Sequence, residues 1–188
     1  VVRRMYQYRF FVALEPGLTL AQIRGMEGVR IRSAYEQASK KYGVPWHGRR
    51  YDRSEWGNAD KINRTLSAAN ALLNGICHAA ISSGGYSTAL GFIHTGRMLS
   101  FVYDVADLYK TLITIPAAFE TCANFQENLE SKVREKCRDY FVEQKLLQRI
   151  LRDIDTLLDI KEGEESLEEI DPPSELWEEL DNHDRDDS

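Results

Sequence analysis

Apolar residues recur along this chain every three to four positions and seldom alternate, a pattern that predicts a mainly helical protein with few strands. Residues 1 to about 13 read as a helix entered midway and ended by the turn Glu15, Pro16, Gly17. LTLAQIRGMEGVRIRSAYEQASKKYG follows as a second helix, with Thr19 placed to cap it and Gly43 to stop it. Inside it Gly25 and Gly28 flank Glu27, each at about 1 kcal/mol relative to alanine, which predicts close approach by another backbone or a ligand. After the aromatic and arginine-rich loop VPWHGRRYDRSEWGN, the stretch DKINRTLSAANALLNGICHAAISSGG is a long helix rich in small residues, expected at the centre of the core. Beyond the Gly84-Gly85 break and the His94-Thr95-Gly96 turn, Ser100 is placed to cap a helix over residues 101 to 110. IPAAFETCANF predicts another, and a long one is expected over about residues 127 to 159.

The helix after the turn carries the first sign of chemistry. At about 100° per residue, Phe101, Val102, Val105, Leu108 and Tyr109 gather on one side, and Asp104 and Asp107 share the other, about 60° apart. That face is either solvated or half of a metal site, and the helix alone leaves both open. Lys110 and Tyr103 border it, with groups suited to phosphate oxygens and to base or sugar contact. Glu27, near Arg24, Arg30 and Arg32, is either an ion-pair partner within its helix or a third carboxylate for the same site. His94 is either a turn residue or a ligand.

Composition narrows the class. At 188 residues, 43% apolar and 10% aromatic, the chain can bury a real core, and the fold class is all-α. It has no run of 18 apolar residues, and Arg3, Arg4 and Arg9 spoil both a signal core and a membrane span at the start, so no membrane is expected. Cys77, Cys122 and Cys137 lack metal-binding spacing and lie in apolar helical patterns, as reduced buried thiols of a cytoplasmic protein would. The formal charge of -6 conceals an asymmetry. Residues 1–64 carry 13 basic and 6 acidic side chains, a net of +7, whereas residues 160–188 carry 2 and 13, a net of -11. A basic body can attract phosphates despite an acidic average. The domain reading is therefore a helical domain over 1–159 and an acidic, disordered tail over 160–188. Within the tail, SELWEEL offers Leu176, Trp177 and Leu180 as a short helix for a partner.

Cutting a phosphodiester builds negative charge on nonbridging and leaving oxygens while a nucleophile approaches an anion. A divalent cation addresses all of these problems. Carboxylates suit Mg²⁺ and Mn²⁺, and an added imidazole shifts preference toward Mn²⁺. Glu, His and Asp from separated segments of a basic body form a credible metal-nuclease set.

RGMEGVRIRSAYEQASKKYGVPWHGRRYD and SAANALLNGICHAAISSGGYSTALGFIHTGRMLSFVYDVADLYK resemble the catalytic domain of the CRISPR-associated integrase family, Cas1, in its type I-E branch. The similarity runs over about residues 1 to 155, and the MEG, GFIHTG and SFVYDVADLYK elements in this order carry it. The resemblance implies Glu27, His94 and Asp107 as ligands of Mg²⁺ or Mn²⁺, with Asp104 an additional active-site carboxylate. It places Arg24, Arg30, Arg32, Arg97 and Lys110 beside those motifs as phosphate contacts. Tyr51 matches a tyrosine used to read the protospacer-adjacent motif.

The implied reaction inserts prespacer DNA into a CRISPR repeat by transesterification, in a prokaryotic cytoplasm, with a Cas2 partner bridging integrase homodimers. Family members begin with a β-rich domain that this chain lacks, so a fragment or one piece of a split chain is expected. Asn74 stands where relatives can carry tyrosine and has no assigned role. Two other functions fit the residues: a catalytically silent DNA-binding fragment, and a branched-DNA nuclease of repair using water as nucleophile.

Overall fold

The computed structural model describes residues 1–49 and 61–159, and among these it contains seven α-helices and no strand. α1 (Val2–Phe10) and α2 (Leu20–Tyr42) are joined by a turn that Arg3 pins, donating to the carbonyls of Leu18 at 2.8 Å and Glu15 at 2.5 Å. α1 stops before the expected residue 13 because Phe11 turns left-handed at φ 51°, with its ring 6.4 Å from that of Tyr8. α2 follows expectation. Thr19 and Gln22 form a reciprocal capping box, and Gly43 at φ 65° donates to the Ser39 carbonyl, the left-handed stop that glycine takes at least cost.

α3 (Lys61–Ser83) is the central helix, as its small residues predict. It packs against α4 (Ser100–Asp107), α5 (Ile115–Asn124), α6 (Leu129–Glu143) and α7 (Leu146–Leu158). Leu66, Ala69, Leu73, Cys77 and Ile81 are fully buried along it. Each buried Leu or Ile is worth about 1.5–3 kcal/mol against exposure, so this stripe is a principal source of stability. At its start Arg49 donates to the Asn63 side chain and carbonyl and to Ser67, while Asn63 donates to the Gly48 carbonyl. Trp46 stacks on Tyr35 at 4.4 Å, so the loop after α2 is packed up to residue 49.

Three further helix boundaries depart from the pattern. Ser100 does not cap α4; it is the first helical residue, and its hydroxyl accepts the N–H of Arg97 at 3.1 Å. α4 ends at Asp107, and a π-helical segment, Lys110–Thr114, leads directly into α5. Pro116 has no N–H to give the Leu112 carbonyl, and the widened turn lets Ile115 donate to Lys110 instead. The long helix expected over 127–159 is two, because Lys145 takes φ 49° between them. The break re-aims Leu146, Ile150, Ile154 and Leu157 so that all four are buried.

The polar groups inside this core are tied together. Tyr109 donates to Asp153 of α7 at 2.7 Å, Arg149 lies 3.6 Å from the same Asp153 oxygen, and Arg149 donates to Tyr8 of α1 at 2.9 Å. Tyr8 and Tyr109 precede Arg9 and Lys110 in the chain, so the network fixes the backbone from which those two cations project.

The cysteines test the core directly. Burial pushes the Cys137 thiol up to about 12 and the Cys77 thiol higher still, so neither forms thiolate near neutrality. In the native protein at pH 8, a thiol reagent followed by mass spectrometry should label no more than Cys122, and all three in denaturant.

Candidate active site

Asp104 lies in the middle of α4 with no exposed surface, yet it keeps both oxygens occupied. Its Oδ2 accepts the backbone N–H of Phe92 at 2.6 Å and of Ile93 at 3.0 Å, and its Oδ1 accepts that of His94 at 2.8 Å. The same Oδ1 lies 2.7 Å from His94 Nδ1. A buried carboxylate is costly unless it is hydrogen-bonded, and here three amides and an imidazole meet that need. The face read from the helix as solvated or ligating is thus neither at this position. Asp104 is a clasp for the loop before α4.

The clasp requires Gly91. A Cβ there would meet the His94 carbonyl oxygen at 1.7 Å and Ser100 Cβ at 2.5 Å, so the loop folds back tightly enough to exclude any side chain. With Nδ1 directed to Asp104, His94 turns its remaining nitrogen elsewhere. Its side chain is 43% exposed, and the ring of Tyr103 lies edge-on at 5.9 Å.

Glu27 and Asp107 converge on a cation that belongs to the protein. Arg9 Nη1 lies 2.5 Å from Glu27 Oε1 and 3.6 Å from Asp107 Oδ2, and the other Asp107 oxygen pairs with Lys110. Arg9 is 6% exposed, and its buried Nε has no hydrogen-bond partner among the described residues. Burial alone would raise the pKa of Asp107, but Lys110 and Arg9 outweigh it and hold the carboxyl below its usual range, with His94 acting in the same direction. Arg9, Glu27 and Asp107 line one cleft with Arg24, Tyr6 and Asp104, and Ile23, Ile93 and Leu108 supply apolar walls.

Among the described residues, no three or more His, Cys, Asp or Glu side chains are gathered as a ready metal cluster. The donors nonetheless suit a hard divalent cation: two carboxylates face one positive nitrogen, and a carboxylate orients the imidazole as metal-bound histidines commonly are. Arg24, Arg32 and Arg97 are exposed, Arg30 and Tyr103 are half-buried, and Tyr51 lies outside the described residues, as does the tail over 160–188. Among the described residues, no other backbone makes the close approach expected at Gly25 and Gly28. A Cβ at Gly25 would meet none of the described residues, and one at Gly28 only the Arg32 guanidinium at 3.7 Å, so this side of α2 is open toward them.

Arg9 is the residue that sequence reasoning passes over. It lies four positions after Met5 and one before Phe10, inside the buried stripe of α1, and a lone arginine in such a stripe signals a buried partner.

The chain matches the family model described as CRISPR associated protein Cas1 over residues 9–156. A CRISPR-associated endonuclease Cas1 of Thermus thermophilus is 52% identical over 182 residues, covering 94% of this chain and 56% of its own length. The corresponding protein of Escherichia coli is 41% identical over 174 residues, covering 93% of this chain and 55% of its own. The crystal structure of a TtCas1–DNA complex matches with a TM-score of 0.76 at 51% identity, over 86% of this chain and 59% of that one. The chain spans about half the length of the curated relatives it matches.

Two substitutions test the geometry. Asp104→Asn turns an amide NH₂ toward backbone N–H donors and should cost about 1–3 kcal/mol or more in urea unfolding. Asp107 has a lowered folded-state pKa, so its ionised form stabilises the fold above the usual carboxylate pKa, and this is lost as pH falls through the lowered value. The stability gap between the wild type and Asp107→Asn should therefore be constant near neutrality and shrink below about pH 4, as read from unfolding curves at stepped pH.

Proposed function

This chain belongs to the CRISPR associated protein Cas1 family, and we propose that it is the catalytic part of a divalent-metal-dependent DNA integrase and endonuclease. The observation that carries this reading is the pairing of an imidazole oriented by a buried carboxylate with two further carboxylates that converge on one positive charge. The relatives' description as endonucleases and the DNA-bound neighbour support it.

Glu27, Asp107 and the imidazole of His94 would hold Mg²⁺ or Mn²⁺, which when bound supplies charge stabilisation at a phosphodiester. Asp104 keeps the His94 ring from rotating and fixes which nitrogen points outward. Arg24 lines the cleft, Arg32 stands exposed on α2 and Arg97 on the turn before α4, and these would bind the DNA backbone together with Arg30, Tyr103 and Lys110. The substrates are prespacer DNA with a free 3′-hydroxyl and the CRISPR repeat it joins. Attack by that hydroxyl replaces one phosphodiester with another, so no nucleotide hydrolysis is required. Assembly as a homodimer bridged by Cas2 belongs to the same reading, as does a cytoplasmic setting. Among the described residues, no helix is long and apolar enough to cross a membrane.

Incubating the protein with labelled 3′-hydroxyl duplex and supercoiled repeat DNA, in Mn²⁺ or in EDTA, separates the functions. Joined product that depends on Mn²⁺ is expected; nicking without joining means a branched-DNA nuclease, and binding alone a DNA-holding module. His94→Ala should abolish the chemistry while leaving DNA affinity within about threefold, because affinity rests on Arg and Lys and weakens steeply with salt. Equal loss of both activities would make His94 a residue of the fold.

A further inference from the structure

Arg9 raises a conflict with the reading just given. A divalent ion shared by Glu27 and Asp107 would sit about 2.0–2.2 Å from a carboxylate oxygen of each. Arg9 Nη1 already lies 2.5 Å from one of those carboxylates and 3.6 Å from the other. Both oxygens of Asp107 face a cation of the protein, Oδ2 toward Arg9 and Oδ1 toward Lys110. A guanidinium does not give up its proton under ordinary conditions, so Arg9 cannot become neutral to make way. It must move, or the ion cannot share both carboxylates.

We infer that Arg9 is a resident counter-ion: its guanidinium and the divalent metal are alternative occupants of the space between Glu27 and Asp107. This rests on the proposed metal site and adds a competitor to it. Without metal, Arg9 cancels the repulsion between two carboxylates that are 22% and 15% exposed, and so keeps the site folded. Its hold is not complete, because the buried Nε of the same guanidinium has no partner among the described residues. Its place at the end of α1, where Phe11 turns left-handed and the helix stops, leaves a long side chain as the only part that has to swing. Lys110 differs, since among the described residues it pairs with Asp107 alone and its side chain is 25% exposed, so it can retreat to solvent.

The test is Mn²⁺ binding, followed by calorimetry and by the rise in Tm on adding Mn²⁺, in the wild type, Arg9→Met, Arg9→Gln and Lys110→Met. Removing the competitor should tighten Mn²⁺ by at least about tenfold in both Arg9 variants and enlarge their Mn²⁺-induced rise in Tm. Their metal-free forms should melt earlier than the wild type. Arg9→Gln covers the case in which methionine fails to pack. Lys110→Met should tighten Mn²⁺ by less, because it removes charge without vacating the shared space.

Unchanged or weaker Mn²⁺ binding in the Arg9 variants overturns the inference. So does an equal gain from Lys110→Met, which would reduce the effect to net charge. Glu27→Gln locates the ion and keeps the two readings apart. If it leaves Mn²⁺ binding intact, or if no protein in the series binds Mn²⁺, the metal site itself fails and the competition with it. If Glu27→Gln abolishes binding and the Arg9 variants match the wild type, only the competition fails.

Discussion

The carboxylate of Asp104 is the point from which the rest of the site is built. Buried without exposure, it is tolerable only because residues 92–94 bend around it and aim their amides at its oxygens. That bend fixes where His94 stands and which ring nitrogen it presents, and it leaves no room for a side chain at Gly91. The interaction is therefore structural and chemical at once: one ion orders a loop and orients an imidazole.

A second constraint is charge balance across the cleft. Glu27 arrives on α2 and Asp107 on α4, and two carboxylates this close repel unless something positive lies between them. Arg9 from α1 and Lys110 from the π-helical segment supply that charge. Four chain segments thus meet at one electrostatic knot. Part of the basic excess of residues 1–64 is held here, in the interior, as Arg9, whereas Arg24, Arg32, Lys40 and Lys41 lie outward on α2.

The scaffold behind the knot is equally specific. Tyr109, Asp153, Arg149 and Tyr8 link the end of α4 to α7 and α1, each polar atom meeting another inside the core. Because Tyr8 and Tyr109 stand next to Arg9 and Lys110, packing at the centre of the bundle is transmitted to the cleft through single peptide bonds.

The helical class, the central place of α3 and both caps of α2 were legible in the sequence because each depends on local spacing: a 3.6-residue apolar period, a Thr-x-x-Gln pair, a glycine at a helix end. The candidate residues Glu27, His94, Asp104 and Asp107 are legible as motif positions, whereas Arg9 is not, because its partners come from other helices. The left-handed stops at Phe11 and Lys145 were not, because neither residue prefers that conformation and only its packed surroundings offset the cost. Nor was the true state of the acidic face. Helical geometry puts Asp104 and Asp107 side by side, but only the tertiary fold decides that one is enclosed by a loop twelve to ten residues earlier and the other faces an arginine from α1. A charge shows its type in the sequence; its partner comes from whatever the fold brings within reach, and in a low-dielectric interior the partner decides what the charge can do.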